Sequence, residues 1–141
     1  MEAKFHLGIK ALIRNSKGEI LLLKINKEKL VNFVGDWDIP GGRIYKNSTV
    51  EETLKRKVYE EIGVSEISNI KPFLMALSKV RIPQDNDSVG LILDVYTCKI
   101  PVDSEIKSPE EFEPKWVMPS KAAKLLEENF PIELIEKIKE L

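Results

Sequence analysis

The sequence has very little of the side chains that most often carry redox or proton-transfer chemistry. Cys98 is the only cysteine, so no disulfide can form within the chain. It lies in an apolar, strand-like run, which predicts a buried thiol instead of a reactive one. His6 is the only histidine. Its position in an N-terminal strand favours a structural role over that of a catalytic base.

Long apolar runs and an excess of charge are missing as well. No run approaches the roughly 20 residues that a membrane span needs, and the start, MEAKFHLGIK, lacks the apolar centre of a signal peptide. The formal net charge is −1, so bulk charge favours neither a nucleic-acid nor a membrane partner. We therefore expect a soluble cytoplasmic protein that binds neither.

The length and composition fit a chain that buries its own core. The sequence has 141 residues, of which 43% are hydrophobic. This length is typical of one domain, and we find no repeat, low-complexity tract or long linker. The sequence therefore predicts a single domain over residues 1–141.

The first third of the chain reads as strands and turns. HLGIKALIRN and EILLLK are predicted strands, joined by the turn NSKG, in which Gly18 can adopt a positive φ. WDIP is a short extended piece, because Pro40 biases Ile39 towards β geometry. Gly41 and Gly42 follow and leave the backbone free to bend.

A strong helix signal comes next. Thr49 and Glu52 have the spacing of a capping box, and so do Ser48 and Glu51. The pattern predicts a helix from about residue 49 to 62, ended by Gly63.

The second half alternates again. Residues 67–80 and VGLILDVYTCKI are predicted strands. IPQDNDS between them is predicted as a solvated turn, because it lacks the glycine and the closing glutamate of a calcium loop. A short strand, PKWVM, precedes helices near residues 120–127 and from Pro131. Ile132, Ile135 and Ile138 share one face of the last helix; we expect it to pack on the sheet, with a partner interface as the alternative.

Strands outnumber crossover helices in this order, so the sheet must be mixed. Helices on both of its faces would give an α/β/α sandwich, an α/β fold with a central mixed β-sheet.

Residues 35–64, GDWDIPGGRIYKNSTVEETLKRKVYEEIGV, resemble the signature of the Nudix family, G-x5-E-x7-R-E-U-x-E-E-x-G-U, with U an aliphatic residue. WDIPGG and EFEPKWV resemble further elements of that family, and the opening hairpin does too, so the resemblance covers nearly the whole chain. It implies a Nudix-like sandwich with a loop and helix over residues 42–64. It also implies hydrolysis of a nucleoside diphosphate linked to another moiety, a nucleotide or a nucleotide sugar. The matching positions are Gly42, Arg56, Val58, Glu60, Glu61, Gly63 and Val64.

Two positions depart from the signature. Ser48 stands where the family has its first glutamate, and Lys57 stands where the glutamate after the arginine belongs. Both missing glutamates normally belong to the acidic set that binds metal and supports catalysis.

Lys57, Glu60 and Glu61 are neighbours on a helix. Here the three side chains carry one positive and two negative charges, where three glutamates would carry three negative ones. Each change of charge alters the electrostatic energy of a bound cation by roughly a few kcal/mol at an effective dielectric of about 20. We expect one Mg²⁺ (or Mn²⁺) held by Glu60 and Glu61 with substrate phosphates, and a second ion to be disfavoured. A solvated helix face with ion pairs is the alternative, but the glycines, Trp37 and the spacing argue for a site.

Roles follow for the remaining candidates. Glu60, Glu61, Lys57 and Arg56 form the catalytic set, in which Lys57 contacts a phosphate and Arg56 orients the glutamates. The packing of Trp37 is favoured over stacking on substrate. Candidates for a general base are Glu52, Glu110, Glu111 and Glu113. The predicted substrate-binding residues are Gly41, Gly42, Arg43, Lys24 and Phe33.

The lost carboxylates leave a second hypothesis open. A nucleotide-binding or regulatory module would keep the fold without turnover, and Lys57 would pair with the glutamates and a ligand phosphate in place of metal. The substrate in either case is a small nucleotide. A homodimer is compatible with the resemblance, since homodimers are common in that family.

Overall fold

The computed structural model describes residues 1–30 and 35–141. Its elements alternate much as the sequence pattern predicts. In chain order they are β1 (Phe5–Ile13), β2 (Ile20–Ile25), β3 (Trp37–Asp38), β4 (Gly41–Arg43), α1 (Val50–Ile62), β5 (Ser68–Leu77), β6 (Ile82–Gln84), β7 (Asp87–Lys99), β8 (Phe112–Val117), α2 (Pro119–Leu126) and α3 (Ile132–Lys139).

The described strands form two sheets. The larger has the order β4-β1-β7-β5, with β6 paired to β7. Within it β1 runs parallel to β7, from Phe5 opposite Gly90 to Ile13 opposite Cys98, whereas β4 and β5 are antiparallel to their neighbours. This sheet is therefore mixed, as predicted. The smaller sheet, β3-β2-β8, is antiparallel throughout.

The strands divide into two sheets because β1 and β2 of the opening hairpin barely pair with each other. Between β1 and β2 the described residues show only an isolated bridge, from Arg14 to Ile20. The two strands therefore diverge, and β2 completes its hydrogen bonds with β3 and β8 instead.

Alternation along the strands places apolar side chains on both faces. Ile9, Ala11 and Ile13 of β1 pack in one core cluster with α1, and Leu12 packs in the other with α2 and α3. The α/β/α prediction is thus confirmed. Trp37 is half-buried against the cluster that contains Leu12, in agreement with its predicted packing role.

Helix α1 begins at the predicted capping box. Thr49 is the N-cap, and its hydroxyl accepts a hydrogen bond from the Glu52 N–H at 3.1 Å. Ser48 instead donates its N–H to the Tyr45 carbonyl in the preceding turn. Gly63 ends the helix with a φ of 73° and donates its N–H to the Tyr59 carbonyl.

Two predicted segments differ in detail. The expected bend at Gly41 and Gly42 is the strand β4, paired with β1. The expected turn IPQDNDS is mostly a hairpin, in which β6 pairs with the start of β7 and the chain reverses at Asp85, with a φ of 49°.

The predicted face of α3 is partly wrong. Ile135 and Ile138 are buried against the core, but Ile132 is 58% exposed and Leu134 is fully buried in its place. Ile132 is the first residue of the helix, and Leu134, Ile135 and Ile138 complete a stripe at helical spacing. Over the described ranges, no helix is long and apolar enough to span a membrane.

Candidate active site

A cleft of about 500 Å³ lies where β1, β4 and β7 meet α1 and the segment after α2. Its lining combines charged groups with an apolar wall. The lining includes Gly8, Lys10, Asp38, Gly41, Gly42, Arg43, Lys57, Glu61, Leu91, Leu93, Glu111 and Phe130.

Glu61 is the carboxylate that α1 directs into this cleft. It is only 8% exposed, and its Oε1 accepts a hydrogen bond from the Gly41 N–H at 2.8 Å. Burial raises the pKa of Glu61, and Asp38 acts in the same direction. The positive charges of Lys10 and Lys57 and the Gly41 hydrogen bond oppose that rise. Among the described residues Oε2 has no hydrogen-bond partner, so it is available to a ligand.

The close packing of β4 against β1 explains why the residue that holds Glu61 is a glycine, Gly41. Gly41 has a φ of 155°, and a Cβ there would collide with the Ile9 carbonyl oxygen and lie 2.8 Å from the Cα of Lys10. Only glycine brings the chain this close to β1. The same close approach presents the Gly41 N–H to Glu61.

Lys57 lies over the second glycine. A Cβ at Gly42 would lie 2.7 Å from the Cε of Lys57, so the lysine stem fills the space that a side chain would take. Its Nζ donates to Glu60 Oε2 at 3.1 Å. Lys57 and Glu61 thus meet in the cleft, and the amine is held at its edge by Glu60.

Glu60 points elsewhere. Its side chain is 49% exposed, and its other oxygen lies 3.7 Å from the Nε of Arg56. It is absent from the described lining of the cleft. Residues one apart on a helix do not share a face, which accounts for the separation of Glu60 from Glu61. That the two share one metal ion stays a prediction.

Arg56 joins the helix to the loop after β4. Its guanidinium lies 3.9 Å from the ring centre of Tyr45, and Nη2 donates to the Arg43 carbonyl at 3.4 Å. It also forms the ion pair with Glu60, so its shown contacts are all with protein groups. This geometry suits the predicted role of orienting its neighbours.

Comparison with known proteins decides the family. The NUDIX domain matches residues 4–138. The chain belongs to the Nudix family. The predicted resemblance is therefore confirmed, and the chain is a Nudix-type hydrolase, of the class that hydrolyses phosphoanhydrides. Nudix hydrolases act on small nucleotide substrates and generally use divalent metals such as Mg²⁺ or Mn²⁺.

Several Nudix relatives are similar over most of the chain. The nucleoside triphosphatase NudI of Escherichia coli K12 is 30% identical over 113 residues, which are 77% of this chain and 78% of NudI. The crystal structure of a MutT protein from Methanosarcina mazei Go1 is 27% identical, with a TM-score of 0.68 over 99% of this chain and 94% of that one.

A more distant structure supports the fold alone. The dihydroneopterin triphosphate pyrophosphohydrolase of E. coli is 15% identical, with a TM-score of 0.70 over 99% of this chain and 97% of that one.

Not all predicted substrate contacts of this Nudix site line the cleft. Gly41, Gly42 and Arg43 do. Lys24 lies on β2 in the smaller sheet, opposite Trp37 on one side and Glu113 on the other, away from the described lining. Phe33 lies outside the residues that the structure describes.

The four candidate bases are also separated. Glu111 lines the cleft. Glu52 lies in the first turn of α1, and its Oε1 accepts from the Thr49 hydroxyl at 3.1 Å. Glu110 lies 3.4 Å from Lys29, and Glu113 faces β2.

An ion pair that sequence reasoning missed lies in the same cleft. Lys10 donates to Asp38 Oδ1 at 3.0 Å, with side chains 14% and 13% exposed. Lys10 also donates to the Ile39 carbonyl at 3.3 Å, and Asp38 accepts from the Ile39 N–H at 2.8 Å. The sequence did contain a sign that Lys10 has a special role, because it interrupts the apolar strand GIKALI and shares the face of Gly8.

The donor set defines how this Nudix site could hold metal. Among the described residues, no group of three or more His, Cys, Asp or Glu side chains could hold an ion. Glu61 offers a hard oxygen, and Mg²⁺ is commonly bound by one or two carboxylates plus substrate phosphates and water. The residues therefore fit an ion that phosphates also hold, rather than an ion caged by protein alone.

Proposed function

We propose that the chain hydrolyses a nucleoside diphosphate linked to another group, with nucleoside triphosphates as the first class to test. The observation that carries the proposal is the buried Glu61 carboxylate, fixed by the Gly41 N–H and flanked by Lys57 and Lys10 in one cleft. A carboxylate beside two cations suits a magnesium-bearing polyphosphate. The relative NudI, a nucleoside triphosphatase, supports the choice of substrate class.

Glu61 supplies the protein ligand for Mg²⁺, and the phosphates and water supply the others. When bound, the ion polarises the phosphoryl oxygens towards attack by water. The burial of Glu61 strengthens each of these charge interactions.

Lys57 stabilises negative charge on the phosphates. Its stem is already positioned over Gly42, so only the end of the side chain has to move from Glu60 to a phosphate oxygen. Lysine contacts phosphate as a point charge and needs no fixed fork geometry. Arg43 on the same rim contributes a second positive charge.

Glu111 is the residue we propose as general base. Besides Glu61, the acidic side chains in the described lining are Asp38 and Glu111. Asp38 is held by Lys10 and by its own backbone, which leaves Glu111 to accept a proton from the attacking water. The apolar wall of Leu91, Leu93 and Phe130 would receive the flat part of the substrate.

A panel of nucleoside triphosphates, nucleotide sugars and dinucleoside polyphosphates tests this. Phosphate and pyrophosphate release would be measured with Mg²⁺, with Mn²⁺ and with EDTA. We expect a triphosphate to be consumed with either metal and to be stable in EDTA. Nucleotide binding that EDTA leaves unchanged, without product from any substrate, would favour the binding module instead. The ion pair of Lys57 with Glu60 is the observation on its side.

A further inference from the structure

A second cavity, of about 540 Å³, lies beyond the other end of β1. The catalytic cleft uses Gly8 and Lys10 at the start of that strand, whereas the second cavity begins at Arg14, just after its end. Its polar lining comes from the ends of neighbouring strands. These residues are Arg14, Asn15, Ser16, Asn69, Lys71, Thr97 and Lys99, with Phe73 as an apolar wall.

Strand register places three cations, Arg14, Lys71 and Lys99, on neighbouring strands. Ile13 is opposite Cys98, and the Arg14 N–H donates to the Cys98 carbonyl, so Arg14 lies next to Lys99. On the far side of β7, Lys71 pairs with Thr97. Arg14 and Lys99 are therefore like charges on adjacent strands, an arrangement that a bound anion would stabilise.

Among the described residues, no acidic side chain forms an ion pair with these cations. No acidic side chain lines the cavity. Over residues 1–30 and 35–141, no ion pair involves Arg14, Lys71 or Lys99. The terminal carboxylate of Leu141, which also lines the cavity, forms no ion pair with them. The Nε of Arg14 is also buried without a hydrogen-bond partner.

We propose that this cavity is a binding site for a phosphate-bearing small molecule, separate from the catalytic cleft. Arg14 would donate to phosphate oxygens through its guanidinium, and Lys71 and Lys99 would add charge from two neighbouring strands. Asn15, Ser16, Asn69 and Thr97 surround them with neutral polar groups. The volume lies within the range of about 300–1,000 Å³ that small-molecule sites occupy.

Amide chemical shifts of the ¹⁵N-labelled full chain test this, with inorganic tripolyphosphate and adenosine monophosphate as separate probes in EDTA. We expect saturable shifts at Ser16, Asn69 and Thr97 that are independent of any shifts at Gly41 and Gly42. The tighter probe would distinguish a free polyphosphate from a phosphate on an organic group. Shifts confined to Gly41 and Gly42 would overturn the proposal.

Charge variants separate a site from diffuse attraction. The triple change Arg14→Gln, Lys71→Gln, Lys99→Gln should weaken the shifts at Ser16 and Thr97 by about tenfold or more. The matched control, Lys4→Gln, Lys115→Gln, Lys121→Gln, removes the same charge from exposed residues outside both cavities, and should change affinity by less than about twofold. Equal weakening in both variants would show that only net charge matters.

Discussion

Glu61 and Glu60 are adjacent carboxylates with different surroundings. Glu61 is buried and held by Gly41, whereas Glu60 is half-exposed and pairs with Lys57 and Arg56. We expect Glu61→Gln to lower kcat on the best substrate by on the order of 100-fold, because the site loses the charge that holds its ion. Glutamine keeps the shape and can still accept the Gly41 hydrogen bond.

The matched control is Glu60→Gln on the same helix. It should cost less than about tenfold in kcat, since Glu60 is outside the described lining of the cleft. A steady-state assay of both variants checks the contrast. An equal loss in the two variants would mean that both carboxylates bind the ion equally.

The buried thiol of Cys98 should make the free energy of unfolding depend on pH in the alkaline range. It is 2% exposed, and burial raises the pKa of its thiol to about 12, from 9.0. Above pH 9 the unfolded chain releases a proton that the folded chain keeps, so the free energy of unfolding should fall as pH rises from 9 towards 12. Denaturant titrations between pH 8 and 11 measure this fall. In Cys98→Ala the fall should be smaller; an identical fall would assign it to other groups.

At the residue scale the sequence predicted the site in part. Motif spacing singled out Glu61, Lys57, Gly41 and Gly42, and the structure brings these four residues to one cleft, where α1 lies against β4. The spacing could not place Lys24 or Lys10, since which strand borders a cleft depends on long-range pairing.

Helix α1 depends on its N-cap at the scale of one element. Thr49→Ala should lower the free energy of unfolding by about 1 kcal/mol, because the Glu52 N–H loses its acceptor. Ser48→Ala is the matched control one residue earlier, and we expect a change of less than about 0.5 kcal/mol. Urea titrations of both variants measure the difference. A larger effect at Ser48 would place the cap there instead.

Strand β4 depends on its first glycine. Gly41→Ala should destabilise the protein by about 3 kcal/mol or more, because the new Cβ meets the Ile9 carbonyl and the φ is strained. Gly42→Ala should cost less than about 1.5 kcal/mol, since it displaces only the flexible Lys57 side chain, at Cε and Cδ, and no backbone. Thermal unfolding compares the two, and similar losses would contradict the close approach of β4 to β1.

The elements themselves were largely predictable from alternation, capping and turn residues. Thr49 and Gly63 bound α1 as expected, because caps act locally. β4 and β6 were not recognised as strands. Each is three residues long and forms only by pairing with a distant or neighbouring strand, which local pattern does not report.

At the scale of the whole molecule, the cavities at the two ends of β1 differ in whether their cations are paired with carboxylates. In the cleft Lys10 pairs with Asp38, and Lys57 pairs with Glu60 at the edge. In the second cavity Arg14, Lys71 and Lys99 pair with no carboxylate among the described residues. A net charge of −1 hides this difference, so composition could not reveal it. The arrangement of strand ends does.

The magnesium dependence of hydrolysis tests the central claim most directly. With Glu61 as the one carboxylate proposed to bind the ion and Lys57 beside it, the ion should arrive on the nucleotide and no further ion should be needed. At fixed nucleoside triphosphate, the rate should therefore follow the concentration of the magnesium–nucleotide complex and level off once the nucleotide is fully complexed. The double change Ser48→Glu, Lys57→Glu should require additional free Mg²⁺. A wild-type rate that keeps rising with free Mg²⁺, or that persists in EDTA, would contradict the account.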